Sequence, residues 1–186
     1  AMEVKIKKLF SAIPKAQNPA PKPDFGLPDN TDPLIGTAAD KEATSTLVSV
    51  YYKHDAIRDS DKNYAYMRLQ LVRSLINTMF RQRMNELANK ENPPFISAFS
   101  YYGQYTHTKD AFTGMAQAAN NQSPMALTAL LTEMERMNRY GFTQGEFERA
   151  KAEIMRNYES RYMDRDKRKN RELVMPNVSY FLNNNP

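Results

Sequence analysis

Apolar positions along this chain of 186 residues follow two rhythms, and the switches between them mark its elements. From Thr44 to Tyr52 the period is two, with Thr46, Val48, Val50 and Tyr52 on one side and Leu47, Ser49 and Tyr51 on the other. β-Branched residues dominate this stretch, so it predicts a strand. Over residues 61–90 the period lengthens to 3.6, and Met67, Leu71, Val72, Leu75, Ile76, Met79, Phe80 and Leu87 recur on one stripe of a long helix. Asp61 is its expected N-cap, and Pro93-Pro94 its stop. Alternation returns at Phe95–Tyr105, with Phe95, Phe99, Tyr101 and Tyr105 on one side and Ile96, Ala98 and Tyr102 on the other. A turn at Thr106-His107-Thr108-Lys109 leads to a third strand, Ala111–Ala119, which completes a hairpin. Its small residues Gly114, Ala116 and Ala118 predict a helix packed closely over that face.

Two helices follow. Ser123 is expected to cap the first and Pro124 to begin it, with Leu127, Leu130, Leu131, Met134 and Met137 inward and Gly141 as its stop. Thr143, with Glu146 three residues on, forms a capping box for the second, whose stripe is Phe147, Ala150, Ile154, Tyr158 and Tyr162. The charged tail after Asp164 is expected to fray or project. The order strand, helix, strand, strand, helix, helix predicts an α+β two-layer sandwich, a mainly antiparallel sheet covered on one face by long helices.

Upstream, residues 2–13 read as a short amphipathic helix with Ile6, Leu9, Phe10 and Ile13 on one stripe, stopped by Pro14. Pro14 to Pro33 holds six of the eleven prolines and predicts an extended strap. The division expected is therefore a terminal helix of a preceding domain (1–13), a Pro-rich linker (14–33) and an α+β domain (34–186). The opening Ala1-Met2-Glu3-Val4-Lys5 reads as a cut edge rather than a natural start.

Composition narrows the function classes. With 41% hydrophobic and 25% charged residues the chain can bury a real core. No apolar run approaches the roughly 18 residues of a membrane span. The net charge of +5 invites a nucleic-acid reading. However, the basic run Arg161–Arg171 is interleaved with Asp164 and Asp166, the pattern of a solvated helix end, so no nucleic-acid partner is expected. The absence of cysteine excludes a disulfide framework, a cysteine zinc site and a thiol nucleophile.

Candidates for chemistry are few. A catalytic zinc needs about three protein ligands, commonly with two histidines on one helix face. Here His54 ends a strand and His107 sits in a turn, and nothing resembles H-x-x-E-H or its reverse. A surface site joining both histidines to Asp55 or Asp110 is the minor alternative to two exposed loop histidines. There is no G-x-S-x-G elbow or Gly-rich phosphate loop, and Glu133/Glu135 and Glu146/Glu148 lie on polar helix faces. No catalytic residue, metal or cofactor is therefore assigned to this chain. Arg83 stands out because it lies on the apolar stripe, four residues after Met79 and four before Leu87. The ordinary outcome is a paired or snorkelling arginine. The functional one is a guanidinium aimed into a cavity to bind a peptide carbonyl. The aromatic side Phe95-Phe99-Tyr101-Tyr105 is similarly open: a core stripe beneath a helix, or a docking edge for an extended peptide.

In order and spacing, EVKIKKLFSAIP (3–14), DKEATSTLVSVYYK (40–53), LINTMFRQRMNELANKENPPFISAFSYY (75–102) and GFTQGEFERAKAEIMRNYESR (141–161) resemble the insulinase/pitrilysin family of inverted-motif zinc metallopeptidases. The resemblance runs over nearly the full length and is to a part of that family following the catalytic domain. It implies homologous α+β domains enclosing a chamber, with zinc and the general base in a separate catalytic domain or subunit. It also implies a peptide substrate. Arg83 matches an arginine that some members pair with a tyrosine to grip substrate. The tyrosine position falls near Phe95, beyond an insertion, so the hydroxyl contact is missing. Expected substrate contacts are Arg83, Phe95, Phe99 and Tyr101. The reading is a non-catalytic domain of a zinc-dependent metalloendopeptidase that helps form the substrate-enclosing chamber. The alternatives are a structural or assembly module on the same scaffold and a free-standing peptide- or polyanion-binding domain.

Overall fold

The structure, a computed structural model, describes residues 2–14, 17, 18, 20, 23, 25–57 and 61–183. In chain order it comprises α1 (Met2–Phe10), β1 (Thr46–Asp55), α2 (Tyr64–Ala88), β2 (Ser97–Gln104), β3 (Lys109–Ala118), α3 (Ser123–Tyr140), α4 (Gln144–Met163), a 3₁₀ turn (Arg165–Lys167) and α5 (Asn170–Asn183). The α+β sandwich expected from the patterning is what forms. The three strands make one antiparallel sheet in the order β1-β3-β2. α2 packs on β2, α3 lies over β3 and β1, and α4 packs on α2.

Register explains the core. Val48, Ala116 and Ala98 share one row, and with Phe112 and Ala118 they face the helices. Phe80 and Met84 of α2, Leu130 and Met134 of α3, and Phe95 fill the space above them. Burying side chains of this size contributes about 1.5–3 kcal/mol each. Gly114 lets α3 approach: a Cβ there would lie 2.8 Å from Met134 Sδ and 3.3 Å from Leu130 Cδ1. The close packing foreseen from the small residues of β3 is therefore present.

Caps are partly as expected. The Thr143 hydroxyl accepts from the Glu146 N–H while the Glu146 carboxylate accepts from the Thr143 N–H, closing the capping box. Gly141 ends α3 at φ 65°, a conformation that suits glycine. α2 is capped by Asn63 rather than Asp61, its side chain accepting from the Ala65 and Tyr66 N–H groups. Ser123 is the first residue of α3 and Gln122 its N-cap, so the proline sets that start without a side-chain cap.

Other expectations fail for packing reasons. Met67, Leu71 and Val72 stay exposed, because the N-terminal half of α2 turns Arg73 and Asn77 toward the sheet. Leu127 and Leu131 of α3 remain 38% and 39% exposed. Phe95 precedes β2 and sits in the core, so it does not share a face with Phe99 and Tyr101. The charged tail stays exposed, in keeping with one half of its expectation, but it is folded as the 3₁₀ turn and α5 rather than frayed. Part of the Pro14–Pro33 strap falls outside the described residues. Residues 25–33 carry no helix or strand.

Candidate functional site

Three places concentrate polar or aromatic side chains. The first is the corner where α2 ends against the α3–α4 turn. Arg83 donates through Nε and Nη2 to the two carboxylate oxygens of Glu146, the Nη2 bond measuring 2.9 Å. Nη2 also donates to the Gly141 carbonyl at 2.9 Å, and the guanidinium stacks 4.6 Å from the Phe142 ring centroid. Both side chains of the pair are largely buried, at 13% and 12% exposure. The Arg83 hydrogen bond, aided by Thr143 and opposed by burial, holds the Glu146 carboxyl down at about 2 against an ordinary 4.5. Glu146 in turn raises the Arg83 guanidinium above its usual value. A cleft of about 360 Å³ opens beside the pair, also lined by Glu86, Glu133 and Arg136.

The second place is the end of the sheet beneath the start of α2. Arg73, 5% exposed, lies 3.9 Å above the Tyr102 ring with Nη1 3.6 Å from an Asp110 oxygen, and its Nε has no hydrogen-bond partner among the described residues. The Tyr102 hydroxyl hydrogen-bonds His54 Nε2 at 2.5 Å. A cleft of about 1110 Å³ opens here. Sequence reasoning missed Arg73, although it precedes the buried Phe80 by seven residues and so falls on the same helical stripe. His54 is half-buried and faces Tyr102, not an exposed loop histidine, while His107 is exposed. Among the described residues no three histidines, aspartates or glutamates are grouped to hold a metal ion.

The third place is the outer face of the sheet. Tyr51, Thr113 and Tyr101 form one row, and Ser49, Met115 and Phe99 the next, with Leu47 beyond. Leu47, Tyr51, Phe99 and Tyr101 are 57%, 43%, 45% and 56% exposed, while α2 and α3 pack on the opposite face. Tyr51 also meets Tyr105 with ring centroids 5.2 Å apart. At the rim, the nearly buried Lys109 ammonium donates to Asp29 of the strap at 2.6 Å and to Asp55 at 2.7 Å. The two carboxylates, Asp29 first, raise the Lys109 pKa, and Lys109 lowers that of Asp55.

The four residues singled out from sequence therefore separate. Phe99 and Tyr101 share the outer face, Phe95 lies in the core, and Arg83 sits at the far corner bound to Glu146.

Residues 2–154 match the family model described as the peptidase M16 inactive domain. The chain belongs to that family. M16 inactive domains are by description non-catalytic, in agreement with a chain to which no catalytic residue was assigned. The fold is similar to the crystal structure of the periplasmic protease PqqL from Escherichia coli, with a TM-score of 0.66 and 19% identity. That match covers 79% of this chain and 16% of PqqL. The structure of the first half of PqqL matches with the same score, and the chain spans 31% of it. No curated protein matches the sequence. This M16 inactive domain thus shares its fold with a small part of a longer protease.

Proposed function

We propose that this M16 inactive domain is a wall of a zinc-dependent metalloendopeptidase, helping to enclose the peptide while a separate catalytic domain holds the metal. The outer sheet face carries this reading: Leu47, Tyr51, Phe99 and Tyr101 stay uncovered over a sheet whose other face packs against α2 and α3. A wall needs one sealed face for stability and one presented face for the chain it confines. Exposed aromatic rings offer large contact area at low entropic cost. Phe99 and Tyr101 are then the substrate contacts. The exposed stripe Ile6, Leu9, Phe10 and Ile13 of the N-terminal segment supports residues 1–13 as the end of a preceding domain, joined by the 14–33 strap to the domain at 34–186.

The test is made in the parent peptidase. Tyr101→Asp and Phe99→Asp, at exposed positions, should leave the melting temperature nearly unchanged while raising KM for an unfolded peptide about tenfold. Unchanged KM in both variants refutes a substrate-facing role for this face. A second reading, an assembly module without a role in proteolysis, is favoured by the bonds of Arg83 to Glu146 and Gly141, which support an architectural arginine. The two readings part on the parent: EDTA-sensitive cleavage and an H-x-x-E-H motif outside these residues belong to the peptidase, their absence to the module. Arg83→Ala lowering cleavage and stability equally would mark that residue as architectural.

A further inference from the structure

β1 and β2 run parallel to each other with β3 between them, and α2 makes the connection from one to the other. This is a split β-α-β, the first part of a β-α-β-β-α-β unit. In such a unit the chain leaving β3 through helices on the same face returns parallel to β3. With β2 already on one side of β3 and β1 on the other, that strand goes to an outer edge of the sheet, and the helix that follows β3 points to that of β1. α3 already lies over both β3 and β1.

We infer that the outer edge of β1 receives a fourth strand, antiparallel to β1, from the polypeptide of the parent peptidase; this rests on the wall reading above. Three observations converge on it. Thr46–Tyr52 runs seven residues without a charge, proline or bulge, the devices that blunt free edges. Leu127 and Leu131, on one flank of α3, are 38% and 39% exposed, as expected of a helix lying over a sheet one strand too narrow. Finally, the similar fold in PqqL is embedded in a much longer chain. The Ala56 N–H donates to the Thr108 carbonyl, so by alternation even-numbered residues of β1 point their N–H groups at β3. The N–H groups of Leu47, Ser49, Tyr51 and Lys53 therefore line the free edge. The strand that fits would set apolar side chains alternately under Leu127 and Leu131 and extend the aromatic outer face on its other side.

Amide hydrogen exchange of this chain alone and of the full parent tests the inference. Leu47, Ser49, Tyr51 and Lys53 should exchange quickly in the chain alone and at least about 100-fold more slowly in the parent, with Val48, Val50 and Tyr52 protected in both. Equal rates for the odd-numbered amides in both proteins would overturn it. Protection already present in the chain alone, with dimerisation, would also overturn it by making a second copy the occupant. Peptide cleavage measured on the same parent separates the two proposals. An active parent with a freely exchanging edge removes the fourth strand and keeps the wall. An inert parent with a protected edge does the reverse.

Discussion

Replacing Arg83 with alanine takes away both bonds to Glu146 and the bond to the Gly141 carbonyl. It leaves a carboxylate that is only 12% exposed and, among the described residues, still held by the Thr143 N–H and hydroxyl. Lowering a carboxyl from 4.5 to about 2 corresponds to roughly 3 kcal/mol of stability at neutral pH. Solvent at the rim of the pair reduces this to about 2 kcal/mol. The lost bond to Gly141 adds about 1 kcal/mol, so the total of about 3 kcal/mol falls at the lower end for breaking a buried ion pair. In urea at pH 7, with a slope of about 2 kcal/mol/M, the midpoint should fall by about 1.5 M. The sign of the pH dependence follows from the depressed value. The stabilisation is complete above 4.5, the unfolded value, and is lost as pH drops through the folded value near 2. The gap between wild type and variant should therefore shrink by roughly half on going from pH 7 to pH 3. A gap that is the same at both pH values, or below about 1 kcal/mol at pH 7, would refute this account of the corner.

Three further outcomes are expected. Gly114→Val should cost about 1–3 kcal/mol in urea unfolding, because its Cβ meets Met134 Sδ; a second change, Met134→Ala, should be much less harmful in that background than in wild type, and simple additivity would refute the contact. Thr143→Ala removes the hydroxyl half of the capping box and should cost about 1 kcal/mol, with lost protection confined to the first turn of α4 in hydrogen exchange. Dialysis of this chain against EDTA should leave its melting temperature unchanged and release no stoichiometric zinc; a drop of more than about 4 °C would mean that a metal holds the fold.

What the sequence made legible was local. The hairpin, the capping box at Thr143 and Glu146, the Gly141 stop and the close approach over Gly114 each depend on residues a few positions apart. What it concealed was long-range choice. That Arg83 needs a partner follows from its place on the apolar stripe, but Glu146 lies 63 residues away and nothing local distinguishes it from Glu133 or Glu153. Phe95 and Phe99 have the same parity, yet the chain enters β2 only at Ser97, so alternation cannot be carried back to Phe95. The inward assignment of Leu127 and Leu131 assumed a sheet wide enough to cover them. On the functional side, Phe99 and Tyr101 were legible as an aromatic pair. Their presentation on the open face depended on the register with β3.

The grip of Lys109 on Asp29 changes what the proline-rich strap can do. With that aspartate moored to the sheet rim, only the stretch from Phe10 to Asp29 sets how far α1 can stand away. At about 3.1 Å per residue this leash reaches on the order of 60 Å at most. The mooring is ionic and Asp29 remains 76% exposed, so rising salt should slacken it and let out additional chain toward Thr46. Ionic strength would then tune the freedom of whatever α1 is attached to, without altering the sandwich itself.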